Sequence, residues 1–459
     1  MKRAIIIILS ACFLLPFVSC GDDLIFHGYV PPTEDPGPGP GPGPDTSDYD
    51  EPVCTYPDNG VVVKSTPYTA RQDNHNYFRI PAVCATKQGT LLAFCEARNT
   101  QPDFMTTDNA SSFPVNPPIQ AGTSKDSGDI DLVLKRSVDG GATWGGMITL
   151  FDDYTNTCGN PVPVVDFKTG RIWLFFCWNP YPTSGYKSDI VSIPISDSYG
   201  SRRVLHCYSD DDGLTWSKPV DASATLKGPL TSYWYATGPC HGIQLKNESR
   251  LGRIMIPCNY RTGINSAAGG NHSACIYSDD NGATWKLGGE SGLGGNESCL
   301  VELQNGDVMV NLRIAEGDLP AGEGYRGSNV STDGGATWTS SSPTINKDLI
   351  DPGCQGAICN VKKDGKPTNT LLVSNCKHSS SRSNMTISKS IDGGKTWTRG
   401  YSVFPNRAAY SDIIQLTDGS VCVLYECGDG SIISGTPNPN ERISFLRIPK
   451  SMLSVTLEL

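Results

Sequence analysis

Short apolar, alternating runs recur along the chain, as at Ile130–Lys135 and Thr370–Ser374. A two-residue period is what a strand with one buried face requires. Such runs precede five copies of one pattern, Ser-x-Asp-x-Gly-x-Thr-Trp. The copies begin at Ser137, Ser209, Ser278, Ser331 and Ser390 and end at Trp144, Trp216, Trp285, Trp338 and Trp397. Ser and Asp side chains can bond nearby amides and fix a tight turn, and Gly supplies a backbone conformation that other residues resist. The Trp gives each turn a large apolar anchor. Each copy is therefore predicted to close a β-hairpin. The spacings of 72, 69, 53 and 59 residues suit a four-stranded unit plus loops. The prediction is an all-β chain built from a repeated sheet, a β-propeller.

The N-terminus follows another logic. Lys2 and Arg3 precede an apolar run from Ala4 to Val18, too short to span a bilayer and suited to a signal segment over residues 1–19. Ser19-Cys20 resembles the end of a bacterial lipoprotein signal, which implies an acylated Cys20; an ordinary cleaved signal is the alternative. Residues 20–52 read as a tether. Pro36 to Pro44 alternates Pro and Gly among acidic residues and cannot bury a core. Asp22 and Asp23 resemble the acidic export signals of some surface lipoproteins. The expected location is the cell envelope, lipid-anchored at the outer membrane or cell surface, or periplasmic. Residues 53–459 remain for one folded domain, too long for a single sandwich.

A formal net charge of -10 argues against nucleic acid as a partner. Any anionic substrate must then be held by a local cluster of cations. Beyond Cys12 and Cys20, 15 of the 17 cysteines remain, an odd number, many inside apolar runs. They read as free, buried, small hydrophobes. No Cys or His spacing matches a metal site, so neither a metal nor another cofactor is expected.

The fivefold pattern is the Asp-box, and with a second, dispersed set of motifs the chain resembles the bacterial exo-α-sialidases of the Asp-box superfamily. Tyr77-Phe78-Arg79-Ile80-Pro81 matches the Phe/Tyr-Arg-Ile-Pro motif, and Gly89 to Arg98 looks like the strand that follows, ending in Glu-x-Arg. The resemblance covers roughly residues 60 to 455 and implies a six-bladed propeller. It implies that Arg79, Arg313 and Arg382 grip the carboxylate of sialic acid, that Arg98 contacts the region of its 4-hydroxyl, and that Glu426 orients Arg79. Guanidinium suits that task, being always charged and forked.

The resemblance also implies an unusual nucleophile. Sialidases are an exception among glycosidases in using Tyr. Tyr410 matches it, with Glu297 as its base. A neutral phenol avoids the repulsion that a carboxylate would meet at a carbon already bearing one. The acid is expected in the long segment Asn99–Gly128; Asp126 is the candidate and Asp129 the runner-up. Thr237 to Leu245 resembles a Gly-Ile-Gln segment beside the site. The implied activity is retaining hydrolysis of terminal sialic acid from glycoproteins, glycolipids and oligosaccharides, by a monomer that meets a membrane only through its lipid. Two alternatives stay open: a trans-sialidase, intramolecular or not, and a non-catalytic glycan-binding propeller.

Overall fold

The structure, a computed structural model, describes residues 49–51, 56–99, 126, 128–154, 156–179, 202–227, 234–261, 270–315, 317–318, 324–432 and 437–459. The signal segment, Cys20 and the Pro-Gly run lie outside them.

About half of the described residues lie in strands, nearly all of them paired antiparallel. The strands are β1 (Val63–Thr69), β2 (Tyr77–Ala85), β3 (Leu91–Arg98), β4 (Ile130–Ser137), β5 (Ile148–Phe151), β6 (Thr157–Val165), β7 (Ile172–Asn179), β8 (Arg203–Ser209) and β9 (Val220–Asp221). They continue with β10 (Trp234–Thr237), β11 (Ile243–Gln244), β12 (Ile254–Arg261), β13 (Asn271–Ser278), β14 (Lys286–Leu287), β15 (Gly295–Glu302), β16 (Val308–Ile314), β17 (Tyr325–Ser331) and β18 (Thr344–Ile350). The last are β19 (Ala357–Lys363), β20 (Lys366–Cys376), β21 (Ser383–Ser390), β22 (Thr398–Gln415), β23 (Val421–Gly428) and β24 (Arg442–Ile448). They form four curled sheets of 7, 5, 4 and 8 strands.

Two features close the molecule. β1 pairs with β24, so the first described strand completes the last sheet. β2 also packs against β6 and β22, β11 against β6 and β15, and β19 against β15 and β22, which makes a ring of leading strands. Apolar side chains fill the spaces between sheets. Trp285, from the third repeat, packs edge-on against Trp173 and Phe175 of the preceding sheet, with centroids 5.5 and 4.6 Å away. The 14 described cysteines of the domain are buried and free, as read from the sequence.

All five repeats fold alike. The Gly N–H donates to the Ser hydroxyl at 2.7–3.0 Å. The Thr N–H donates to the Asp carboxylate at 2.8–3.0 Å. Gly282 shows why the position is Gly. Its φ is +92°, and an added Cβ would lie 2.3 Å from the Trp173 ring. Each turn follows the third strand of its run of four, at the carboxyl end of the leading strands, away from the residues described next.

That far end also holds the last residues assigned to the tether. The tether was predicted to run to residue 52, but Tyr49 to Glu51 are docked on the domain. Tyr49 is buried, and its carbonyl accepts from the Lys246 ammonium. Glu51 pairs with Lys362. A carboxylate offered to two lysines outweighs the polarity of the segment. Glu51 borders a cavity of about 130 Å³ lined also by Val83, Val164, Gln244, Glu302 and Gln415, at the carboxyl ends of leading strands.

Candidate active site

Four leading strands break their pairing near their amino-terminal or pocket-facing ends. Register slips between Arg79 and Ala82 in β2, Gly159 and Val162 in β6, Gly295 and Ser298 in β15, and Ala408 and Ser411 in β22. A bulge re-aims a side chain and leaves a backbone N–H without its ladder partner. Ile80 and Asn160 take φ of +61° and +59°, a region that a β-branched residue strongly resists.

Buried N–H groups of this kind need an acceptor, and side chains supply it. Glu426 accepts from Ile80 N at 2.8 Å and from Tyr410 N at 3.1 Å. Glu96 accepts from Asn160 N at 2.8 Å. The Asn296 side chain accepts from Glu297 N at 2.7 Å, and the Gln355 side chain from Ser411 N at 2.9 Å.

The bulges bring the sequence-predicted residues together. Arg79 donates to both Glu426 oxygens, at 3.2 and 3.3 Å. Arg98 donates to Glu96 from Nε at 2.7 Å. Tyr410 Oη donates to Glu297 Oε1 at 2.6 Å, and Arg313 Nη1 lies 2.7 Å from Glu297 Oε2 and 3.4 Å from the phenol oxygen. The guanidinium carbons of Arg79 and Arg382 lie 4.8 and 5.6 Å from the centre of the Tyr410 ring. Arg98, Glu297, Arg313 and Tyr410 line a pocket of about 250 Å³ together with Asp126, Asn160, Trp234 and Asn259.

The two candidate acids separate in space. Asp126 reaches the pocket, 3.0 Å from Arg98 Nη1 and 4.0 Å from Arg79 Nη1, with 59% of its side chain exposed. Asp129 is half-buried beside the Asn99 side chain, and burial raises its carboxyl. Burial and the neighbouring Glu297 push the Tyr410 phenol well above its usual range, while Arg313, Arg382 and Arg79 pull it down. The phenol therefore keeps its proton at neutral pH.

Residues 119–423 match the family of BNR repeat-like domains. An exo-alpha-sialidase of Arthroderma benhamiae is 30% identical over 370 residues, 76% of this chain and 78% of that one. This chain belongs to the BNR/Asp-box sialidase superfamily. A sialidase of Micromonospora viridifaciens is 32% identical over 365 residues, 77% of this chain, and the match spans only 50% of that protein. The solved structure of the Hadza microbial sialidase Hz136 superposes with a TM-score of 0.66 at 24% identity, over 84% of this chain and 68% of that one, which shows a shared fold.

In this superfamily member, the sequence motifs located the charged residues, Glu426 and Glu96 among them, but missed the uncharged supports. Asn160, Asn259, Trp234 and Gln355 carry no motif. Their positions follow from bulges that only pairing with a distant strand defines. One group was also hidden by spacing. Among the described residues, His241, Cys299 and Asp412 lie close enough to hold a metal. Most of their polar atoms already have protein partners. Asp412 accepts from Val83 N at 2.9 Å, Ile413 N at 3.0 Å and His241 Nδ1 at 2.7 Å, and the Cys299 thiol donates to Ile358 O at 3.5 Å. Asp412 thus ties β22 to β2 and to the loop that carries His241, while Cys299 ties β15 to β19.

Burial alone would lower the His241 pKa, but the Asp412 carboxylate raises it to about 9. The free imidazole titrates near 6.5, so the tie contributes fully below that value and is lost as pH rises through about 9, a change of up to about 3 kcal/mol. Melting temperature should accordingly fall between pH 6.5 and 9.5 in the wild type and much less in His241→Gln. Parallel melting curves for the two proteins across that range would exclude a charged His241.

Proposed function

We propose that the chain is an exo-α-sialidase, a six-bladed propeller that releases terminal sialic acid with retention through a Tyr nucleophile. The observation that carries this is the 2.6 Å contact from Tyr410 Oη to Glu297 beside Arg79, Arg313 and Arg382. A non-catalytic glycan binder has no use for a phenol buried against a carboxylate. Dividing the two large sheets supports a count of six blades. The 7-stranded one splits where the 18-residue β22 passes from β21 to β23, and the 8-stranded one where β4 meets β6 at one residue pair.

In this reading the arginines seat the substrate carboxylate. The Tyr410 oxygen bonds to the anomeric carbon as the bond to the departing glycan oxygen breaks. The phenolic proton passes to Glu297, and Asp126 gives its proton to the leaving oxygen. Asp126 then takes a proton from water as that water displaces Tyr410, and Glu297 returns a proton to the phenol. At 59% exposure, Asp126 has access to water for the second half.

The test compares two leaving groups. The wild type should release free sialic acid from sialyllactose; a product joined to a glycan, or closed on itself, would mark a trans-sialidase. Asp126→Ala should lose about 10²–10⁴-fold on sialyllactose and much less on an aryl sialoside, whose phenolate departs with little help. If Asp129→Ala shows that dependence and Asp126→Ala does not, Asp129 is the acid.

The same reading places the enzyme on the cell envelope, held by an acylated Cys20. Tyr49 to Glu51 are seated at the end of the ring away from the pocket, which would turn the pocket outward from an anchor. Cys20→Ser should move the activity from the membrane fraction to the soluble fraction with unchanged specific activity. A wild type already soluble and unacylated would contradict the anchor.

A further inference from the structure

Gln355 is 1% exposed and does not line the pocket. Its side-chain amide nevertheless meets the strand that carries Tyr410. Oε1 accepts from Ser411 N at 2.9 Å while Nε2 donates to Ser411 O at 3.0 Å. This two-way exchange is what a neighbouring strand residue provides in an antiparallel ladder. It falls at the edge of the bulge of β22 between Ala408 and Ser411, where Ser411 resumes its register with Tyr425 of β23.

The same Nε2 donates to Pro239 O at 3.0 Å. The preceding carbonyl, Gly238 O, accepts from Ser298 N at 3.2 Å, one residue beyond Glu297. One buried amide therefore joins the backbone next to Tyr410 to the loop that holds the backbone next to Glu297. This gives the Thr237–Leu245 segment a place in the site.

Gln355 sits on a rigid turn. Cys354 N donates to Asp351 at 2.7 Å. The fully buried Arg326 donates to Asp351 at 3.0 Å, Cys354 O at 3.0 Å and Gly356 O at 3.2 Å. Its Nε donates to Asn311, two residues before Arg313 on β16, at 2.5 Å. The turn that holds Tyr410's strand is thus tied to the strand whose arginine touches both Glu297 and the phenol.

We propose that Gln355 is a positioning residue that sets the separation of Tyr410 from Glu297, the contact through which the nucleophile loses its proton. This rests on the assignment of those two residues as nucleophile and base. A misplacement of about 1 Å at a reacting group can cost on the order of 10²-fold in rate.

The test uses the full chain, sialyllactose, and the variants Gln355→Leu and Gln355→Glu. Leu keeps an apolar body of similar size and loses all three bonds. Glu can remake the exchange with Ser411 only when neutral, because an ionised carboxylate has no donor and would face two carbonyl oxygens. Gln355→Leu should lose kcat about 10- to 100-fold with KM within about threefold, since the arginines that hold the carboxylate stand apart from this amide. For Gln355→Glu, the ratio of its kcat to that of the wild type should climb as pH falls from 8 to 5, a trend that a purely structural residue would not produce. Two folded variants with near wild-type kcat and flat pH ratios would overturn the role of Gln355 and leave the proposed function standing. So would losses that merely track the fraction unfolded. A wild type that releases no sialic acid would instead overturn the function, and the role of Gln355 with it.

Discussion

A backbone N–H that leaves its ladder inside a folded protein must find another acceptor, and the whole site hangs on how that is done here. The leading strands have to bulge to aim Arg79, Glu297 and Tyr410 into one pocket. Each bulge opens a ladder, and a buried side chain closes it. Glu426 serves two strands at once, taking Ile80 N and Tyr410 N while holding Arg79. Leaving such a group unpaired costs about 1–3 kcal/mol, and more for a charged one. The supports are therefore structural and functional together: removing one would loosen the strand and misdirect the side chain it presents.

The charges follow the same economy of space. Three arginines of the site each stand against a carboxylate, Arg79 with Glu426, Arg98 with Glu96 and Arg313 with Glu297. The pairing lets guanidinium groups remain charged when buried and fixes where their free edges point. A chain with a net charge of -10 can in this way offer an anion a cationic pocket. Two unit charges 4 Å apart interact by about 4 kcal/mol at an effective dielectric of 20. That is the scale of repulsion a carboxylate nucleophile would meet beside the substrate carboxylate in the proposed reaction, and a neutral phenol avoids it. The proton must then leave by a short path, and Glu297 lies 2.6 Å away.

The sequence made the repeated turn and the charged residues legible because both are local. Ser137 to Trp144 folds the same way wherever it occurs, and Arg79, Glu297, Arg313, Tyr410 and Glu426 sit in short strings with their own signature. Apart from Glu426, the supports were not legible. Gln355 lies in Asp351 to Gly356 without any pattern, and its partner Ser411 is 56 residues away. The choice between Asp126 and Asp129 could not be read along the chain either, because it depends on which carboxyl faces Arg98 and which faces Asn99. Tyr49 and Glu51 look like tether because composition says nothing of Lys246 and Lys362, far along the chain yet adjacent in the fold.

The central claim is that Tyr410 forms a covalent bond to the sugar, and it can be observed directly. A sialic acid carrying fluorine at the anomeric carbon and at the carbon next to it loses fluoride readily, while the second fluorine slows the later attack by water. An enzyme that works through a covalent intermediate should accumulate it. After incubation and proteolysis, mass spectrometry should find the fluorosialyl mass on the peptide containing Tyr410, and none on the same peptide from Tyr410→Phe. An active enzyme with that label on Glu297, or on no residue at all, would contradict the account.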